Sequence, residues 1–162
     1  MAATLSTALK RHSNDVILLG QRAQSLWLDG RKADARKGFA AARAAAENPT
    51  QLANLCWIRA ISDIDLTEAL ADCDAALSRS PNNAAVLESR GFVLVKLGRL
   101  DDAILSYDRA LAEDPAMAEA LLGRAVAWKR KGDQARSDAD FAAATARNED
   151  IVAQYHYYGM SF

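Results

Sequence analysis

A fixed step of 34 residues carries one part of this chain onto the next. Gly98 maps onto Gly132, Tyr107 onto Phe141 and Ala110 onto Ala144. Taken backwards, the step carries Ala103 to Ala69 and Ala35, and Ala110 to Ala76 and Ala42. It also carries Tyr107 to Cys73 and Phe39, and Pro115 to Pro81. No gap is needed. A period of this size marks a stacked helical array, in which each unit buries its apolar face only against its neighbours. The step predicts an all-α fold, a right-handed α-solenoid of about four helix-turn-helix units. The copies fall at 16–49, 50–83, 84–117 and 118–151. A cap helix is expected before them in 1–15 and another after them in 152–162.

Composition agrees. Hydrophobic residues make up 51% of the chain but aromatics only 7%, so alanine and aliphatic side chains must fill the core. Alanine has the best helix propensity and lets helices approach closely. Three prolines and eight glycines are too few for a loop-rich β protein. The formal net charge of −1 gives no reason to expect a nucleic-acid partner. No apolar run reaches the length of a membrane span, and the start has no basic-then-apolar leader. A cytoplasmic location is expected, or a periplasmic one if the chain is a fragment whose leader was removed.

Punctuation supports the same units. Gly98 and Gly132 stand where a first helix must end in a left-handed turn. Asp133 then reads as the next N-cap, and Asp65–Glu68 ("DLTE") as a capping box. Pro81 and Pro115 close second helices.

These residues resemble the tetratricopeptide repeat family. The third copy matches its pattern best, with Leu87, Gly91, Leu94, Gly98, Ala103, Tyr107, Ala110 and Pro115. The fourth has Leu121, Ala125, Trp128, Gly132, Phe141 and Ala144, but Ser137 and Glu149 at the alanine and proline places. The first has Gly30, Ala35, Phe39 and Ala42, with its proline displaced to Pro49. The second departs most, with Trp57 at a small-residue place and Ile64 at the turn glycine, so its turn is expected to be altered.

The resemblance implies a non-catalytic adaptor or scaffold whose first helices line a concave groove for a peptide or helix. The groove places are Gln24 and Trp27, then Asn54, Ile58 and Ile61, then Glu88, Phe92 and Val95, then Leu122, Val126 and Lys129. Its central column is apolar, which implies an apolar or amphipathic segment from a partner or from a second copy of this chain. The competing reading is that these residues simply pack the stack. The alternative function is an accessory docking or dimerisation domain cut from a larger enzyme or envelope protein.

No catalytic constellation accompanies the repeat. His12 and His156 lie in opposite terminal segments, and no phosphate-binding or nucleophile-elbow motif occurs. The acids Asp63, Asp65, Asp72 and Asp74 lack the glycine and glutamate spacing of a calcium loop, so neither a metal nor a cofactor is expected. Cys56 and Cys73 fall at core places on facing helices. Buried free thiols are expected there, with a disulfide as the alternative. Tyr155, Tyr158 and Phe162 are expected to cover the second helix of copy four, near Phe141.

Overall fold

The computed structural model describes residues 15–162, so the cap helix expected in 1–15 lies almost wholly outside the described residues. The described residues form helices and no strand. In order they are α1 (Val16–Leu28), α2 (Lys32–Ala44), α3 (Pro49–Ile61), α4 (Leu66–Arg79), α5 (Ala84–Lys96), α6 (Leu100–Glu113), α7 (Ala118–Arg130), α8 (Gln134–Arg147) and α9 (Ile151–Tyr157). The second helices of the pairs start at Lys32, Leu66, Leu100 and Gln134, a constant step of 34 residues.

The chain divides into two compact units, one ending at Arg79 and the other spanning Ser80–Phe162. In the first, α1 pairs with α2 and α3 with α4, and α1 also packs on α3. In the second, α5 pairs with α6 and α7 with α8, α7 packs on both α5 and α6, and α9 lies against α7 and α8.

The small residues of the period do what their size allows. Ala35, Ala42, Ala69, Ala76, Ala103, Ala110 and Ala144 are all fully buried on second helices. Phe39, Cys73 and Tyr107 fill the place between such alanines and are buried as well. Tyr107 needs unusual room. A Cβ on Gly91 would lie 2.7 Å from its Cε1, and one on Gly123 would lie 2.3 Å from its hydroxyl. Only glycine lets α5 and α7 close on this ring. The Tyr107 hydroxyl has no hydrogen-bond partner, and its burial raises its pKa well above the ordinary phenol value.

The turns explain where the period slips. Gly98 (φ 75°) and Gly132 (φ 84°) adopt the left-handed conformation. Arg99 N–H then reaches back to the Leu94 carbonyl and Asp133 N–H to that of Trp128, which satisfies the last carbonyls of α5 and α7. Copy two differs. Asn48 caps α3 by accepting from Gln51 N–H, while the Gln51 side chain answers the Asn48 backbone, and Pro49 sits in the first turn. This fixes the start of α3 one residue early. The left-handed place therefore falls on Asp63 (φ 52°), Ile64 N–H closes onto the Arg59 carbonyl, and Ile64 is buried. Asp65 (φ 42°) takes up the extra residue before Leu66. The altered turn is thus legible at Ile64.

Two expectations need correction here. The capping box at Asp65–Glu68 does not form, because Asp65 is left-handed and both its carboxylate oxygens accept from Arg36 at 2.9 Å. The cysteines are not free thiols. Cys56 on α3 and Cys73 on α4 are joined, with Cα atoms 5.3 Å apart. Close alanine-mediated packing of one helix pair brings two facing core cysteines within bonding reach.

Candidate functional site

The groove places lie in separate units and meet different fates. In the first unit Gln24 donates from Nε2 to Ser62 Oγ at 2.6 Å, which ties α1 to the turn after α3. Trp27 is half-buried beneath the cations of Lys32 and Arg36, whose charged groups lie 5.1 and 5.5 Å from its ring. Asn54, Ile58 and Ile61 are half-buried on α3.

In the second unit the repeat pattern predicts open surface, and the structure has buried surface. Phe92 and Val95 are wholly buried, Leu122 and Val126 nearly so, and Glu88 is 6% exposed. Lys129 alone of this set is exposed. Over Phe92, Glu88 and Lys129 the cover includes the chain's own segment Ile151–Phe162. The Phe92 ring meets Tyr155 edge-on at 5.7 Å and Tyr158 at 6.5 Å. Lys96 donates from Nζ to the Tyr158 carbonyl at 3.0 Å and lies 5.0 Å from the Phe92 ring centre. The Lys129 ammonium sits 4.3 Å from the centre of the Phe162 ring.

The cap expectation is therefore half met. Phe162 stacks on Phe141 with ring centres 4.2 Å apart, as expected. Tyr155 and Tyr158 also meet the Phe92 ring on α5, the first helix of copy three. The helix also stops early, at Tyr157, where a left-handed Gly159 (φ 75°) turns the chain and Met160 N–H returns to the Tyr155 carbonyl. A pattern keyed to the preceding repeat assigns these tyrosines to α8. It does not foresee their contact with Phe92 on α5.

At the centre of this contact is a polar knot. The Tyr155 hydroxyl lies 2.9 Å from Glu88 Oε1 and 2.5 Å from the Glu119 carbonyl. Ser89 Oγ donates to the Ala85 carbonyl and lies 3.5 Å from Glu88 Oε2. Burial pushes the Glu88 carboxyl up to about 7, the hydrogen bond from Tyr155 opposes this, and the Glu119 charge adds to the rise. Tyr155 is raised well above the phenol range, first by burial and then by Glu88. One phenol proton faces two acceptors. Both contacts are hydrogen bonds only when Glu88 carries a proton of its own.

The first unit holds a second feature that the sequence concealed. Asp72 is completely buried on α4 and pairs with Arg43 and, at 3.0 Å, with Arg59. The buried Arg59 guanidinium also lies 4.1 Å from the centre of the Phe39 ring. Beside them is a cavity of about 470 Å³ whose arginines are Arg36, Arg43 and Arg59. Each already holds a carboxylate, Asp65 or Asp72, so the cavity presents no uncommitted cation to an anionic ligand. Among the described residues no group of three metal-ligating side chains converges.

Helix hairpins repeated at a constant step, with small residues at their crossings and a side-chain-lined face on the first helices, define a protein-interaction repeat. The tetratricopeptide repeat family model matches residues 89–151, and the fold of the described residues is that of tetratricopeptide repeat proteins. No curated protein sequence matches it. Similar solved structures include YrrB, described as a TPR protein with an unusual peptide-binding site, at 19% identity and a TM-score of 0.67, covering 98% of this chain and 82% of that one. The MamA protein is similar at 18% identity and a TM-score of 0.65, covering 99% and 86%. A human IFIT1 dimer with PPP-AAAA is similar at 14% identity and a TM-score of 0.70, covering 94% of this chain and 38% of that one. These likenesses concern the fold. Among the described residues no helix is long and apolar enough to cross a membrane.

Proposed function

We propose that this chain is a non-catalytic adaptor that binds an apolar or amphipathic segment of another protein on the face formed by α5 and α7. The observation that carries this is the way that face holds Ile151–Phe162. Glu88, Phe92 and Lys129 are groove residues by their place in the repeat, and each touches that segment, by a hydrogen bond, a ring edge and a cation over a ring. A face that holds one aromatic segment through such contacts has the chemistry to hold another. The peptide-binding site named for YrrB lends the reading support by analogy of fold alone.

The disulfide supports placing the protein in an oxidising compartment rather than the cytoplasm, since such bonds persist where thiols are not kept reduced. Thiol labelling of freshly lysed cells checks this. Cys56 and Cys73 that react once the protein is denatured without reductant would return it to the cytoplasm.

The binding reading is tested by affinity capture from native lysate. The comparison variant reverses the two cations, Lys96→Glu with Lys129→Glu, and leaves Phe92 in place. Proteins retained by the wild type and lost by the variant identify the face. Equal capture by two folded proteins rejects it.

A further inference from the structure

The segment that covers the α5–α7 face has features that a cap does not need. A cap has only to bury apolar surface. This one places a tyrosine hydroxyl against Glu88 and the Glu119 carbonyl, and a backbone carbonyl against Lys96. Hydroxyl and backbone contacts of this kind fix the identity and register of a bound segment. Its helix, α9, is only seven residues long, so its side-chain anchors must hold it in place rather than its own helicity. One flank is solvent: Tyr157 is 87% exposed, and His156, Gly159 and Ser161 are exposed with it. The connection from α8 is the three-residue turn Asn148–Asp150.

We propose that Ile151–Phe162 is an intramolecular stand-in for the partner, and that the partner is a helical segment presenting a tyrosine to Phe92 and Glu88 with a second aromatic three residues on, as Tyr155 and Tyr158 do. The inference rests on the binding function proposed above and adds the chemistry of the ligand and its regulation. A tethered arm competes at an effective concentration on the order of millimolar, so a free segment of equal affinity meets an occupied site. Binding therefore requires the arm to leave. The bulk of the partner's contact falls on residues that the arm now covers, and Lys96 and Lys129 stay at the rim to receive a backbone carbonyl and a ring.

The test uses the full chain and a labelled synthetic peptide with the sequence of residues 151–162. Anisotropy titrations compare the wild type with Tyr155→Ala, in which the arm loses its central anchor. The expected result is peptide binding tightened by about tenfold or more in the variant, consistent with the removal of a tethered competitor. A peptide carrying alanine at the Tyr155 place should lose that gain. If Tyr155→Ala loses its helical circular dichroism, Tyr158→Ala with Phe162→Ala releases the outer anchors and serves the same comparison. Equal affinity for wild type and variant overturns the arm as a competitor. No binding to a folded variant overturns the proposed ligand chemistry. Lysate capture separates these failures from that of the parent reading. Partners lost by the Lys96→Glu, Lys129→Glu protein but not gained by Tyr155→Ala leave the face as a binding site without a gate. Capture indifferent to both variants removes the face itself.

Discussion

At the scale of single residues, the second unit carries two buried polar groups whose cost can be measured. The Tyr107 hydroxyl is buried without a partner. Leaving such a group unsatisfied costs about 1–3 kcal/mol. Tyr107→Phe keeps the ring against Gly91 and Gly123, so the melting temperature should rise. Gly123→Ala should lower stability by about 1–3 kcal/mol through overpacking, because its Cβ would meet the ring rather than a flexible chain end. Glu88 acts through pH. Its folded pKa, about 7, is raised from 4.5, so the folded state favours the protonated acid. The stability it contributes is complete below about pH 4.5 and is lost as pH rises towards 7. The groups facing it are Ser89 on α5, Tyr107 on α6, Glu119 on α7 and Tyr155 on α9. Denaturant melts should show unit two weaker at pH 8 than at pH 5 by up to a few kcal/mol. Glu88→Gln should flatten that slope, because the amide can donate to Tyr155 at every pH. An unchanged slope in Glu88→Gln would assign it to other groups.

At the scale of elements, the turns show what the sequence discloses and what it hides. A methyl group on Gly98 would meet no atom within 4 Å beyond its immediate chain neighbours, so the role of this glycine is conformational rather than steric. Gly98→Ala should therefore cost about 1–2 kcal/mol from left-handed strain alone, read as a lowered melting midpoint. Such glycines are legible because their chemistry is local. The same holds for the alanines at helix crossings, since their size is the whole of their function. The Asp72 pairing with Arg43 and Arg59 is not legible, because an aspartate beside a core cysteine looks like any solvated acid until three helices meet around it. The seat of the last segment is hidden for a related reason. Position in the repeat marks Phe92 as a groove anchor and Tyr155 as a cap residue. Their contact depends on how α9 is seated on the first helices, which no periodic pattern encodes. Burial of Phe92 also blurs the choice between groove and core, because the atoms that bury it include those of a segment tied on by a three-residue turn.

At the scale of the whole molecule, the two units are stabilised by different devices, and this separates their responses. The first contains the Cys56–Cys73 bond, whose partners are 17 residues apart in sequence, and the buried Asp72 network. Closing a loop of that length stabilises by about 3 kcal/mol in the chain-entropy account. The second contains no cysteine, and its distinctive features are Glu88 and the segment that covers it. Reductant should therefore act on α1–α4 and a rise in pH on α5–α9. Hydrogen exchange followed by mass spectrometry reads both in one protein. With reductant at constant pH, amides of α3 and α4 should exchange about a hundredfold faster, the equivalent of about 3 kcal/mol. Moving from pH 5 to pH 8, after correction for intrinsic exchange, should deprotect α9 and the first turns of α5 and α7, where Glu88 and Glu119 meet Tyr155. In Glu88→Gln the second response should vanish and the first should remain. Loss of protection in α5–α9 on reduction would show instead that the disulfide supports the binding face.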